Sequence, residues 1–439
     1  MLKRILIFLS ASLLFSVAYA ENIRLAKLSN LDVAPLNAAV KNELKSVLNI
    51  LEERLSSYPK DYDAELLKAI LYFKEGDVDL SLATLDKLIE KVPDFQLAHL
   101  LKGDLLLSKF SAASGLGETT LLSSLLPKLN KNKQGQLQLL REEAQVRMRT
   151  FLGTKTRKKW PRQILGLGKS VKKALLIDKT ANRLYVFTRK DSGELFEEVN
   201  NYYITTGKLV GNKNVKGDLR TPEGVYFVTS WISPNKLPSK YGVGAFPVNY
   251  PNELDKHNGK TGYGIWLHGT DDGFYSRPPR DSEGCIVLTN IDLNTLKSDI
   301  KPGLTPVIIT ENIEWVDYST WIYERKQLIQ AVESWRLDWE SMNVNKYLAH
   351  YEKSFWSATH NYKSWSARKR LLAKNKKYQS VKLSDISYLL YPEDKKNNKQ
   401  IAVVRLHQDY KSNNFKGSMY KRLYLSKKNN QWKIIYEGK

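Results

Sequence analysis

Hydrophobic positions change period three times along this chain. Between residues 40 and 150 they recur at helical spacing, and Pro59, Pro93 and Pro127 stand 34 positions apart. Aligned on the prolines, "PKDYDAELLKA" superposes on "PDFQLAHLLKG": Ala64 on Ala98, Leu66 on Leu100, Leu67 on Leu101, Lys68 on Lys102 and Ala69 on Gly103. Tyr72 then falls where the first helix of a pair wants a large residue, and Ser81 where crossing helices want a small one. The pattern degrades after Pro127. From about residue 170 the runs are short and β-rich. "ALLIDKTANRLYVFTR" gives two strands around a turn, "NNYYITTGK" a strand ending at Gly207, and "TPEGVYFVTSWI" a turn running into a strand. "GIWLHGT" and "GCIVLTN" are strand-like as well. Helical spacing returns from Trp315 to about Ala373, and the chain ends in "QIAVVRLHQDY", "GSMYKRLYLSK" and "WKIIYE", which alternate as strands do.

These changes predict a multidomain protein. A period of 34 resembles the tetratricopeptide repeat, so residues 21–150 are expected to form an all-α repeat domain of antiparallel helix pairs, with a plain helical bundle as the alternative. Such stacks offer a groove to a protein partner or to a second copy and rarely join in chemistry, so the catalytic part is expected to fold without this one. Residues 151–169 are basic and broken by proline and glycine, which predicts a linker. A mainly-β domain over 170–312 and an α+β domain over 320–439 complete the expectation.

The first twenty residues change the compartment. Lys3 and Arg4, an apolar run from Ile5 to Val17 and the small-x-small ending Ala18-Tyr19-Ala20 have the layout of a cleaved secretory signal, residues 1–20. The apolar run is shorter than a spanning helix needs, and no other run spans a bilayer, so no membrane span is expected after cleavage. Export to a Gram-negative periplasm is the expectation. The formal charge of +23 becomes +21 when Lys3 and Arg4 leave, which favours an anionic envelope polymer or membrane surface as partner, with solubility alone as the alternative, and outside the cytoplasm argues against nucleic acid.

Export makes the single cysteine conspicuous. Periplasmic thiols normally pair, yet Cys285 has no partner in the chain. It is then a buried apolar residue, an intermolecular bridge or a reactive thiol, and the count alone favours the first. Its surroundings favour the third: "SEGC" places Gly284 where a backbone can approach a substrate, with N–H groups at Gly284 and Cys285 to receive an oxyanion. His268, 17 positions earlier and followed by Gly269, is a candidate base. Gly-Cys and His-Gly pairs also arise by chance. Asp271 and Asp272 lack a second histidine at ligand spacing, so a solvated turn is the reading and no metal is expected. His257 is read as a surface residue, and His407 and Tyr410 as packing residues that could instead line a pocket in the last domain. Trp266 alternates with His268 and so shares its face, towards either cleft or core.

The ordered set "TPEGVY" (221–226), "IWLHGT" (265–270) and "SEGCIVLTN" (282–290) resembles the L,D-transpeptidase catalytic domain, over about a third of the chain. The resemblance implies Cys285 as nucleophile, His268 as base, the Gly269 carbonyl as the group that orients the imidazole, and Ser282 with Gly284 as the wall of the oxyanion pocket. It implies peptidoglycan stem peptides as substrate and no cofactor. Two positions depart from the family pattern: Glu283 stands where histidine is usual, and Val287 where arginine is common. The variant resembles the branch with the cell-shape-determining L,D-carboxypeptidases, whose C-terminal domain is similar to nuclear transport factor two, a cone of helices against a curved sheet. The expected activity is cleavage of the L,D amide between meso-diaminopimelate and D-alanine through a thioester. The alternatives are cross-linking, attachment or release of an envelope lipoprotein, and a non-catalytic peptidoglycan-binding scaffold.

Overall fold

A computed structural model describes residues 38–108, 131–153, 159–190, 195–392 and 400–438. The expected signal sequence and Pro127 lie outside them.

Five helices come first: α1 (Ala38–Ser57), α2 (Tyr62–Glu75), α3 (Val78–Lys91), α4 (Gln96–Ser108) and α5 (Lys131–Gly153). Their starts follow local chemistry. The Asp61 and Asp77 side chains accept N–H bonds from Ala64 and Leu80, and Gly76 ends α2 at φ +94°. Pro59 and Pro93 lie in the turns before α2 and α4. Ser81 is fully buried and its hydroxyl donates to the Ala69 carbonyl at 2.7 Å, so small residues sit where α2 and α3 cross. These helices bury one apolar cluster containing Leu51, Leu67, Leu85, Phe95 and Met148.

The expected linker enters the next domains as structure. Residues β1 (Trp160–Pro161) and β2 (Ile164–Gly166) are strands, and Ile164 and Leu165 are fully buried. The apolar "IL" pair outweighs the flanking basic residues, which had suggested an exposed segment. The catalytic domain proper follows with β3 (Lys173–Asp178), β4 (Arg183–Arg189), β5 (Phe196–Tyr203), β6 (Thr206–Gly207), β7 (Gly224–Phe227), β8 (Ala245–Pro247), the short helix α6 (Glu253–His257), β9 (Trp266–His268), β10 (Arg280–Ser282), β11 (Ile286–Val287), α7 (Asn290–Lys297), β12 (Pro306–Thr310) and β13 (Trp315–Val316). One sheet runs β5-β4-β3-β12-β7 and a second runs β11-β9-β8, while β6 and β10 pair alone. The two main sheets enclose a core of Leu175, Ile177, Tyr226, Phe246, Leu267 and Ile286.

The third domain is the expected cone: α8 (Tyr318–Glu340), α9 (Val344–Ala349), β14 (Tyr351–Trp356), α10 (Tyr362–Lys374), β15 (Gln379–Leu390), β16 (Ile401–Ser412), β17 (Lys416–Lys428) and β18 (Gln431–Gly438). Its sheet runs β14-β18-β17-β16-β15-β2, so the former linker supplies its edge. Catalytic and cone domains share one core, in which Val225, Phe227 and Tyr185 pack with Trp321, Leu389 and Tyr424. Polar contacts close the seam: Glu253 accepts from Arg422 and, at 2.8 Å, from the Tyr424 hydroxyl. His257 is exposed, as expected, and stacks on Trp356 with ring centres 3.7 Å apart, at this seam. No helix among the described residues is long and apolar enough to cross a membrane.

Candidate active site

Parallel pairing of β9 with β11 brings the two halves of the site together. Ile286 is in register with Leu267 and Val287 with His268, so Cys285, one step before β11, meets the strand beside Trp266. Strand alternation turns Cys285 to the face that Trp266 and His268 share. The Tyr241 ring confirms that face, lying 5.0 Å from the Trp266 ring and 4.8 Å edge-on to His268. Trp266 is half-buried, with its ring against Tyr241.

His268 is buried, and its Nδ1 lies 2.7 Å from the Gly269 carbonyl. A carbonyl only accepts, so Nδ1 carries the proton and Nε2 is left with a lone pair. Burial, opposed by the Gly269 hydrogen bond and reinforced by the Arg277 and Lys240 cations, lowers the imidazole to about 4. The ring is neutral at neutral pH. Asn290 fixes the turn that follows: its side-chain carbonyl accepts from the N–H groups of Val243 and Thr270, and its amide donates to the Thr270 carbonyl at 3.0 Å. A Cβ on Gly269 would lie 2.1 Å from that Asn290 oxygen, which explains the glycine after the histidine.

Cys285 is half-buried and unpaired. Its Sγ lies 3.3 Å from the Gly264 carbonyl. Burial pushes the thiol above its ordinary range; the Trp266 backbone N–H opposes this, the Glu283 carboxylate reinforces it, and Lys240 and Arg277 oppose it. Both members of the pair thus rest neutral, as thiol and imidazole. Gly284 has φ +126°, and a Cβ there would lie 2.6 Å from the Arg220 carbonyl. Its N–H donates to the Ser282 hydroxyl oxygen at 3.1 Å, and that hydroxyl donates to the Cys285 carbonyl at 2.6 Å. Sequence reasoning offered the Gly284 N–H as an oxyanion donor; the structure commits it to Ser282, which instead ties the signature loop into a closed turn. Glu283 is exposed, facing solvent beside this turn.

Three contributors escaped the sequence. Tyr241 and Lys240 come from a single 3-10 turn, Ser239–Tyr241, and Arg277, held by Asp281 at 2.9 Å, comes from the stretch between His268 and Cys285. Positive charge near the thiol is supplied by these residues although position 287 is valine. Among the described residues no cluster of three or more His, Cys, Asp or Glu could hold a metal. Tyr410 lines a cavity of about 440 Å³ in the cone domain, stacked on Trp339, and His407 packs outside it against Tyr420.

Residues 172–309 match the YkuD family, the L,D-transpeptidase catalytic domain, and residues 327–438 match the Cds6 C-terminal NTF2-like domain. The solved structure of Bd1075 from Bdellovibrio bacteriovorus is 34% identical, with a TM-score of 0.57 over 64% of this chain and 98% of that one. The chain belongs to the L,D-transpeptidase family. A helical cell shape determining protein from Campylobacter jejuni, Pgp2, is also similar: 26% identical, TM-score 0.53, covering 63% of this chain and 95% of that one. No curated protein matches. As a family member the chain carries the β-rich catalytic domain followed by the NTF2-like cone, and the N-terminal helices lie outside both matched stretches. The family's work on peptidoglycan places the protein outside the cytoplasm.

Proposed function

We propose that this protein is a periplasmic L,D-carboxypeptidase that trims D-alanine from the diaminopimelate of tetrapeptide stems. The observation that carries the reading is the neutral His268 ring, with Nδ1 committed to the Gly269 carbonyl, on the same sheet face as the one thiol of the chain. Resemblance to a helical cell shape determining protein supports a role in wall shape.

The chemistry follows from the resting state. Since thiol and imidazole are both neutral, Nε2 of His268 takes the Cys285 proton as sulfur attacks the amide carbonyl carbon. The oxygen becomes an oxyanion, and with the Gly284 N–H committed to Ser282, the Cys285 N–H is the donor the signature offers it. The C–N bond then breaks, the imidazolium protonates the departing amine of D-alanine, and a thioester remains. Water, losing a proton to His268, attacks the thioester; the C–S bond breaks and the thiolate regains its proton. Glu283 favours water at this step, because an acceptor amine drawn to a carboxylate arrives protonated and non-nucleophilic.

Tetrapeptide muropeptides incubated with the protein test the reading. The wild type releases D-alanine, whereas Cys285→Ala, a small substitution costing about 1 kcal/mol of stability, keeps its fold and releases none. Turnover by that variant would refute the nucleophile.

A further inference from the structure

The helical module does not stand apart from the catalytic domain. Its apolar core contains a residue of that domain: Tyr275, only 7% exposed, lies with its ring 4.3 Å from Phe95 and 6.1 Å from Tyr62. Tyr275 belongs to the strap that links His268 to Cys285, seven residues after the one and ten before the other. The next residue, Ser276, donates its hydroxyl to Glu143 of α5 at 2.7 Å. Glu143 also takes Arg147, which bonds Asp63 and lies 3.8 Å over the ring of Tyr203. Asp63 in turn holds Arg183 of β4 at 2.8 Å. Arg147 is 1% exposed, so this ion network is buried and needs all its partners.

The far side of the strap is held just as firmly. Tyr203 and Thr205 donate their hydroxyls to the Arg277 carbonyl, both at 2.9 Å, and Asn182 donates to the Pro279 carbonyl at 2.6 Å. The strap therefore runs in a slot between the helices and the catalytic sheet before turning into Ser282 and the signature. Beyond Cys285, Ile291 packs against the module's core, and the half-buried Asp292 lies within the field of Asp61, Asp63 and Arg147. Helices that lie outside both matched domains thus grip the chain ten residues before the thiol and again six residues after it.

We propose that the N-terminal helical module is a positioning device for the catalytic cysteine, with Tyr275 as the positioning residue that locks the His268–Cys285 strap. Two consequences separate this from passive docking. Arg277, whose cation bears on both His268 and Cys285, sits two residues from the anchor, so freeing Tyr275 changes the electrostatics of the thiol. The Ser282 turn that closes around Cys285 hangs from the same strap, so its geometry loosens too. A misplacement of about 1 Å at a reacting group costs up to 10²-fold in rate.

The inference rests on the proposed function for its turnover readout but not for its thiol readout. In the full-length chain, Tyr275→Ala is expected to lower kcat for D-alanine release about 10- to 100-fold with KM within about twofold of wild type. It is also expected to displace the pH profile of iodoacetamide labelling of Cys285. Tyr275→Phe, which keeps the ring, should restore both. Phe95→Ala, which leaves the strap sequence intact, should shift both in the same direction and covers the case in which Tyr275→Ala fails to fold. A folded Tyr275→Ala or Phe95→Ala protein with wild-type kcat and an unmoved labelling profile would overturn the proposal. Labelling needs no substrate: if the wild type cleaves no muropeptide, the carboxypeptidase reading falls, and a displaced profile still upholds the strap while an unmoved one removes it.

Discussion

At Cys285 burial sets the character of the thiol first, the Trp266 N–H works against it, and the Glu283 carboxylate adds to it. An exposed carboxylate beside Cys285 reinforces the effect of burial, and both hold the thiol protonated, while His268, lowered to about 4, cannot supply a resting imidazolium to offset them. The labelling rate of Cys285 should therefore climb steadily through pH 8 and 9 with no inflection near 6.5. Glu283→Gln removes a negative charge, lowers the thiol pKa and should raise the rate at pH 7 by roughly two- to fivefold, the gain shrinking in high salt. Equal rates for variant and wild type across that range would remove Glu283 from the account. The residues that make this environment were unevenly visible in the sequence. Cys285, His268 and the glycines around them announce themselves as short motifs. Tyr241 and Lys240 do not, because a 3-10 turn some 27 positions upstream has no periodicity to mark it, and only the fold lays it over the imidazole.

Among the elements, α7 shows why a seam between helices and sheet is hard to read from a sequence. Its pattern, "NIDLNTLK", looks like a short surface helix with an acidic first turn. In the fold, Ile291 and Asp292 face the helical module, and burial drives the Asp292 carboxyl from 3.8 up to about 7, opposed by its Thr289 hydrogen bond and reinforced by Asp61 and Asp63, with Arg147 opposing. An acid with a raised pKa favours its protonated form, so it takes up a proton on folding. Stability from this group falls as pH rises from about 4 to about 7 and stays low above that. Asp292→Asn should match the wild type in thermal stability at pH 4 and exceed it at pH 8, as followed by tryptophan fluorescence; a difference independent of pH would contradict the assignment. The same reasoning explains the linker. Basic residues and glycines suggested an exposed connection, whereas two buried aliphatics, Ile164 and Leu165, were enough to add β2 to the cone sheet. Strands β3 and β4 were legible because alternation and a turn signal coincide there. The 34-residue spacing of Pro59 and Pro93 was legible because each precedes a helix.

For the whole molecule, three chain segments read as separate domains share buried surfaces at both seams. Catalytic and cone domains close over one core around Trp321 and Tyr424, and the helical module takes Tyr275 from the catalytic strap. Composition and periodicity report what each segment buries within itself. They do not report which side chain crosses a seam, so the module was expected to be removable, and a truncation to the catalytic and cone domains would expose Phe95's partner and unpair Arg183. The catalytic domain carries one half-buried thiol, with a neutral base on the same sheet face and an exposed carboxylate next to it in the chain. The most direct test is mass spectrometry of the products when the full-length protein meets tetrapeptide muropeptides. The account predicts tripeptide and free D-alanine in equal amounts, with dimers joined through two diaminopimelates at trace level. Abundant dimers of that kind with little tripeptide would contradict it and make the protein a cross-linking enzyme.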